Sequence, residues 1–200
     1  MTIAGAILAG GGATRLGGAA KGLIPFGAAR AIDHVAAALR EAGAGRILVA
    51  ASAPDAGTWL PGAEIVRDSA PGAGPLGAIV DVLRRTLVTT LVVAWDMPRV
   101  SAGLLRPLLA AATGHDAAMY RHAGGSEPLC AVYQPGALEP LAVAFDAGER
   151  SPSRAAARLR VAFVTADDET VDALASVNTP DELRRTTLDL TPTQATATDA

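Results

Sequence analysis

Short apolar runs alternate with stretches of helical periodicity along most of the 200 residues. The runs at 3–9, 46–51, 64–67, 90–94, 117–121, 129–134 and 161–165 are rich in Val, Ile and Leu. They lack strict apolar–polar alternation, the pattern of strands buried on both faces. Helical spacing predicts helices at 31–42, 75–87, 101–112, 137–145, 152–159 and 180–186. Strand–helix alternation of this kind predicts an α/β domain with a largely parallel sheet and helices on both sides. Thr179-Pro180-Asp181-Glu182 forms a capping box, Ser151-Pro152 repeats the cap-plus-proline device, and Gly43 closes the 31–42 helix. The length suits one domain, 1–188, without internal repeats. The tail at 189–200 is polar from Thr191 onward and reads as disordered.

Composition narrows the class. Half the residues are apolar but only 4% are aromatic, so Ala, Val and Leu must fill the core. The net charge of -3, with both signs spread along the chain, argues against a general nucleic-acid binder. It leaves room for a small anionic ligand held by a few local groups. Cys130 is the single cysteine and no Cys/His cluster has metal-ligand spacing, so a reducing cytoplasm is the expected compartment. The apolar run at the N-terminus has no preceding basic residue and reads as a first strand, not a leader. No run approaches the roughly 20 apolar residues of a membrane span.

The chemistry concentrates in one stretch. Of 17 basic residues, the only lysine is Lys21. It follows Leu8-Ala9-Gly10-Gly11-Gly12-Ala13-Thr14-Arg15-Leu16-Gly17-Gly18, directly after the first strand. Glycines let backbone N–H groups converge on phosphate oxygens, and Arg15 and Lys21 add positive charge. Two familiar phosphate loops are excluded. Lys21 sits between Ala20 and Gly22, which breaks the Gly-Lys-Ser/Thr of a P-loop, and Arg15 occupies the third glycine of a dinucleotide fingerprint.

Leu8-Ala-Gly-Gly-Gly, then Arg15-Leu-Gly-Gly, then Lys21, resembles the signature of the molybdenum cofactor guanylyltransferases, the MobA-like nucleotidyltransferases. Arg67-Asp68 with Gly74-Pro75-Leu76-Gly77, Trp95-Asp96-Met97-Pro98, Glu127-Pro128-Leu129-Cys130-Ala131-Val132-Tyr133 and Asn178-Thr179-Pro180 follow in the family's order. Alone, Asp68 and Asp96 read first as turn aspartates, and Thr179-Pro180 is already explained as a helix start. Ala20, Ser52 and Ser176 depart from the family pattern, which carries an acid, an asparagine and an asparagine there.

The resemblance implies a three-layer α/β/α, Rossmann-like nucleotidyltransferase fold and a set of roles. Arg15, Lys21 and Asp96 would be catalytic. Leu8, Ala9, Gly10, Gly11, Gly12, Lys21, Ser52, Asp68, Pro75, Leu76 and Asp96 would bind the nucleotide. Asp96 and Asn178 would hold Mg2+, which favours carboxylates, phosphate oxygens and water. The implied reaction transfers GMP from GTP to the molybdopterin cofactor, with molybdoenzymes or their chaperones as further partners. A cytidylyltransferase for molybdopterin, another phosphate-acceptor transferase, and a non-catalytic nucleotide-binding homologue stay open as alternatives. The role of Glu127 also stays open, between orienting the acceptor and pairing with an arginine. His34, His115 and His122 read as surface or packing residues, Cys130 as a small hydrophobe, and the arginines of 150–160 as a solvated helix face or an acceptor contact.

Overall fold

The computed structural model describes residues 2–9, 21–70 and 72–177. The expected helix at 180–186 and the tail at 189–200 lie outside these. In chain order the strands are β1 (Ile3–Leu8), β2 (Pro25–Phe26), β3 (Ala29–Arg30), β4 (Arg46–Ala50), β5 (Glu64–Val66), β6 (Thr89–Ala94), β7 (Ala117–His122), β8 (Gly125–Tyr133) and β9 (Val161–Thr165). The α-helices are α1 (Ala31–Glu41), α2 (Pro75–Thr86), α3 (Ala102–Ala111), α4 (Leu138–Asp146), α5 (Pro152–Ala156) and α6 (Asp168–Leu174). Strands β2 and β3 form a separate ribbon. The other seven form one sheet in the order β5-β4-β1-β6-β8-β7-β9. Only β8 runs against its neighbours, so the expected mostly parallel sheet is present.

Alternation along the strands supplies two cores. Strand β1 sends Ala4, Ala6 and Leu8 to one face and Ile7 to the other. The first face is covered by α2, α4 and α5 through Leu76, Ile79, Leu83, Leu141, Phe145 and Ala155. The second is covered by α1 and α3 through Ile32, Val35, Leu39, Leu105 and Leu108. The arrangement is the α/β/α sandwich, and it explains why the strand runs look apolar on both sides. Cys130 is fully buried in the second core, where burial pushes its thiol well above the usual range. It is the small hydrophobe expected.

Four details differ from the sequence expectation. Helix α5 ends at Ala156, and the chain continues as a tight turn with Leu159 N–H donating to Ala156 O. Strand β8 begins at Gly125, not 129. Pro128 argues against a strand by pattern, but it lies where the β7–β8 register shifts between Met119 and Arg121, so no ladder donor is missing. Helix α6 was not expected, because seven residues carry too short an apolar stripe. Its signal is the cap, where Asp167 accepts from Thr170 N–H at 2.8 Å. The two-residue β2–β3 pairing is too short to register as a pattern. Among the described residues, no helix is long and apolar enough to cross a membrane.

Candidate active site

Register places several distant residues at one edge of the sheet. Leu8 pairs with Ala50 on one side and Ala94 on the other, and Ala50 pairs with Val66. The chain therefore leaves β1, β4, β5 and β6 in one row, at their C-terminal ends. The links continue past the strands. Ala9 N–H donates to Ala50 O at 2.9 Å, Ala51 N–H to Val66 O at 3.1 Å, and Trp95 N–H to Leu8 O at 3.2 Å. Ser52, Asp68 and Asp96 each stand two residues beyond that row. The Gly-rich loop departs from β1, where the chain turns to β4 on one side and later to β6 on the other. That is the switch point at which open parallel sheets bind ligands.

Asp68 and Ser52 meet directly. The Ser52 hydroxyl donates to Asp68 Oδ2 at 3.4 Å, and Ala70 N–H donates to Oδ1 at 2.9 Å. Arg67 reaches back to the carbonyls of Ala53 and Pro54, which ties the ends of β4 and β5 together. Pro75 is the first residue of α2 after Gly74, whose φ of 85° falls in the region that glycine alone adopts freely. Leu76 is fully buried. Ser52, where the family pattern carries asparagine, contributes the longer of the two bonds to the Asp68 carboxylate.

The Lys21 backbone opens a 3₁₀ turn, Lys21–Leu23. The next residue, Gly22, lies against the face of Trp95. A Cβ at Gly22 would overlap the indole, 2.6 Å from Cδ2 and 2.9 Å from Cγ. Trp95 itself stacks on Trp59, with centroids 5.3 Å apart and planes 29° apart. The lysine turn is thereby seated on the residue immediately before Asp96. A third segment arrives at the same place. Val177 N–H donates to Asp96 O at 2.8 Å, and the Val177 side chain packs with Phe26 and Ile24. His34 secures Phe26 by an edge-on ring contact and by a 2.8 Å bond between Nε2 and Phe26 O. His34 is a packing residue, as expected.

Glu127 faces this cluster. In the β6–β8 register the last pair is Val93 opposite Cys130, and beyond it Glu127 comes close enough to Asp96 to feel its charge. Burial raises the Glu127 carboxyl above its usual range, against a hydrogen bond from the Leu129 backbone and the nearby His122; the charge of Asp96 adds to the rise. The reading of Glu127 as an arginine partner finds no support in the ion pairs among the described residues. Three of the four arginines of 150–160 are engaged in the fold, and Arg158 is exposed. Arg154 makes two 2.8 Å bonds to Glu149, Arg160 pairs with Asp116 at 2.9 Å, and Arg150 lies over the Phe145 ring.

Residues 5–165 match the model of the MobA-like NTP transferase domain. The chain belongs to that family. A probable molybdenum cofactor guanylyltransferase of Chloroflexus aggregans is 35% identical, with 92% of this chain and 93% of the relative covered. Another from Pelotomaculum thermopropionicum is 33% identical over 90% of this chain and 89% of the relative. Among solved structures, molybdopterin-guanine dinucleotide biosynthesis protein A from Archaeoglobus fulgidus superposes with a TM-score of 0.75 at 26% identity, covering 94% of this chain and 98% of that one.

Of the residues expected from the MobA-like pattern, Leu8, Ala9, Ser52, Asp68, Pro75, Leu76, Asp96 and the Lys21 backbone are within the described residues. Leu8, Ala9, Ser52, Asp68 and Asp96 line the row of strand ends, and the Lys21 turn joins it through Trp95. Gly10, Gly11, Gly12, Arg15 and Asn178 lie outside the described residues, and Asn178 is the residue after Val177. Sequence reasoning missed Gly22 and Trp95 as a seat for the lysine. The signal was Lys-Gly beside a tryptophan that precedes the Asp-x-Pro, but only the fold brings these together. It also missed Ser69 and Asp81, which join the Asp68 segment to α2.

Proposed function

We propose that this chain transfers GMP from GTP to the terminal phosphate of the molybdopterin cofactor and releases pyrophosphate. The observation that carries the proposal is the meeting of the Lys21 turn, Asp96 and Val177 around Trp95, with Asp68 along the same row of strand ends. A nucleotidyltransferase needs one group of residues on the triphosphate and another on the base, and this edge of the sheet offers both. The relatives named as guanylyltransferases support the choice of base and acceptor.

In the proposed reaction an oxygen of the acceptor phosphate attacks the α-phosphorus in line. The new O–Pα bond forms as the Pα–O–Pβ bond breaks, and the electron pair leaves with pyrophosphate. The attacking oxygen is already anionic, so no general base is required. Amides of residues 10–12, with Arg15 and Lys21, would receive the triphosphate charge. Gly22 on Trp95 holds the backbone of the lysine turn against the Asp96 strand end. Asp68, oriented by Ser52 and the Ala70 amide, would accept from the guanine N1–H and N2–H₂ edge. Glu127, within reach of the Asp96 charge, is suited to orient the acceptor.

Asp96 and Asn178 would hold Mg2+. The donor set fits: both offer hard oxygen atoms, and the bond from Val177 N–H to Asp96 O brings the chain leading into Asn178 beside Asp96. When bound, the ion would neutralise charge on the phosphates. The test is turnover with GTP, CTP and purified molybdopterin acceptor side by side, with and without Mg2+. Pyrophosphate release with GTP and acceptor is expected. Activity with CTP but not GTP would overturn the proposal.

A further inference from the structure

Asp81 is a carboxylate in the middle of α2 with only 9% of its surface exposed. A charge in such a position is costly unless it is satisfied. Ser69 satisfies it twice. The Ser69 amide N–H donates to Oδ2 at 2.8 Å, and the Ser69 hydroxyl donates to Oδ1 at 2.9 Å. Arg84, three residues on along the helix, adds an ion pair at 3.5 Å. Ser69 is the residue directly after Asp68, and α2 is the helix that begins at Pro75-Leu76. One carboxylate thus joins the two segments that border the base side of the site.

The form of the contact matters. A single apolar contact would anchor the loop to the helix and leave it free to turn. Two hydrogen bonds from the amide and hydroxyl of one residue fix its orientation, and with it the direction in which Asp68 departs from the chain. Asp68 is then held by its own bonds from Ser52 and Ala70.

We infer that Asp81, acting through Ser69, is the positioning residue that aims Asp68 at the nucleotide base and so sets selectivity for guanine. This rests on the reading of Asp68 as acceptor for the guanine edge. Asp81 lies behind the loop and touches no substrate. Its loss lets Asp68 drift from a geometry that two parallel hydrogen bonds require, while the triphosphate grip is untouched. The cost falls on KM for GTP and on discrimination against inosine triphosphate, which lacks the 2-amino group.

The experiment is steady-state kinetics with GTP and inosine triphosphate for the full chain and four variants. Asp81→Leu removes both bonds; it is expected to raise KM for GTP about tenfold, keep kcat within about twofold and bring the GTP-to-ITP ratio of kcat/KM close to unity. Ser69→Ala keeps the amide bond and folds with less disturbance; a loss of about threefold in the same ratio is expected. Asp81→Asn can accept the amide through Oδ1 and donate to the hydroxyl through Nδ2, so it should hold the ratio within about twofold of the parent. Asp68→Ala separates the two levels. If it leaves the ratio unchanged, the reading of Asp68 fails and the inference falls with it. If it abolishes the ratio while Ser69→Ala and Asp81→Leu preserve it, Asp68 is the base acceptor and Asp81 does not position it. Should Asp81→Leu not fold, an unchanged ratio in Ser69→Ala overturns the inference alone.

Discussion

Gly22 lies so close to the face of Trp95 that any β-carbon would enter the ring. Its φ is outside the left-handed region, so glycine is required here by contact and not by backbone conformation. Gly22→Ala must therefore lift the Lys21 turn from its seat beside Asp96. A displacement near 1 Å at a transfer site costs on the order of 10²-fold in rate. A fall of that size in kcat/KM is expected with the far-ultraviolet spectrum unchanged. Full activity in Gly22→Ala would show that the lysine turn is not placed by this contact.

Lys21→Ala tests the charge itself. The chain should fold, since the turn is held by Gly22, and transfer should fall by about 10³-fold or more. Arginine offers no simple rescue, because a planar fork does not replace a compact ammonium at a close phosphate contact. Turnover equal to the parent in Lys21→Ala would remove the lysine from the mechanism.

The corner between α4 and α5 gives a pH prediction. Hydrogen bonds from Arg154, with further bonds from the backbone of Ser151 and Arg150, hold the Glu149 carboxyl down to about 2. The folded value lies below the ordinary value of 4.5, so the stability it lends is fully present above about pH 4.5 and is lost as pH falls toward about 2. Denaturant unfolding of the parent and Glu149→Gln should differ near neutral pH, and the difference should close across that window. A gap that stays constant down to the lowest pH would contradict the assignment. The corner borders the site, since a β-carbon at Gly74 would lie 3.6 Å from Arg150 O.

Leu87 closes α2 in the left-handed conformation, at φ 53° and ψ 21°, with 63% of its surface exposed. A leucine there carries the steric cost of its Cβ and gains little from burial. Leu87→Gly should raise stability by about 0.5–1 kcal/mol, the relief of that cost less the added freedom of glycine in the unfolded chain. Leu87→Ala keeps the Cβ and should change little. Equal effects from both in thermal or denaturant unfolding would point away from backbone strain.

The strands of the main sheet were legible as dense apolar runs bounded by turns, and in β1, β4 and β6 burial on two faces leaves no ambiguity of face to resolve. Helix starts with their own chemistry, such as Ser151-Pro152, were equally plain. Asp68 and Asp96 were readable only as members of an ordered series, because each alone resembles a turn aspartate. Gly22, Ser69 and Asp81 were not readable at all. Their roles come from contacts across the fold, Gly22 with Trp95 and Ser69 with Asp81, and no local pattern distinguishes such residues from a surface glycine, a turn serine or a helix aspartate. Helix α6 was missed for the opposite reason: its cap is local, but its apolar stripe is too short to stand out.

The bond from Val177 N–H to Asp96 O predicts a shared function for Asp96 and Asn178. Backbone pairing brings the chain leading into Asn178 beside Asp96, and both residue types offer the hard oxygen donors that Mg2+ favours. Asp96→Asn removes the charge but keeps the size, and should lower kcat by about 10²- to 10³-fold. Asn178→Ala removes the neutral donor and should raise the Mg2+ concentration needed for half-maximal turnover, with a smaller loss at saturating metal. Asp96→Asn should shift that concentration further, because a carboxylate contributes more than an amide to a hard divalent ion. A Mg2+ titration curve that coincides with the parent's in both variants would exclude them as ligands, whatever happens to the rate.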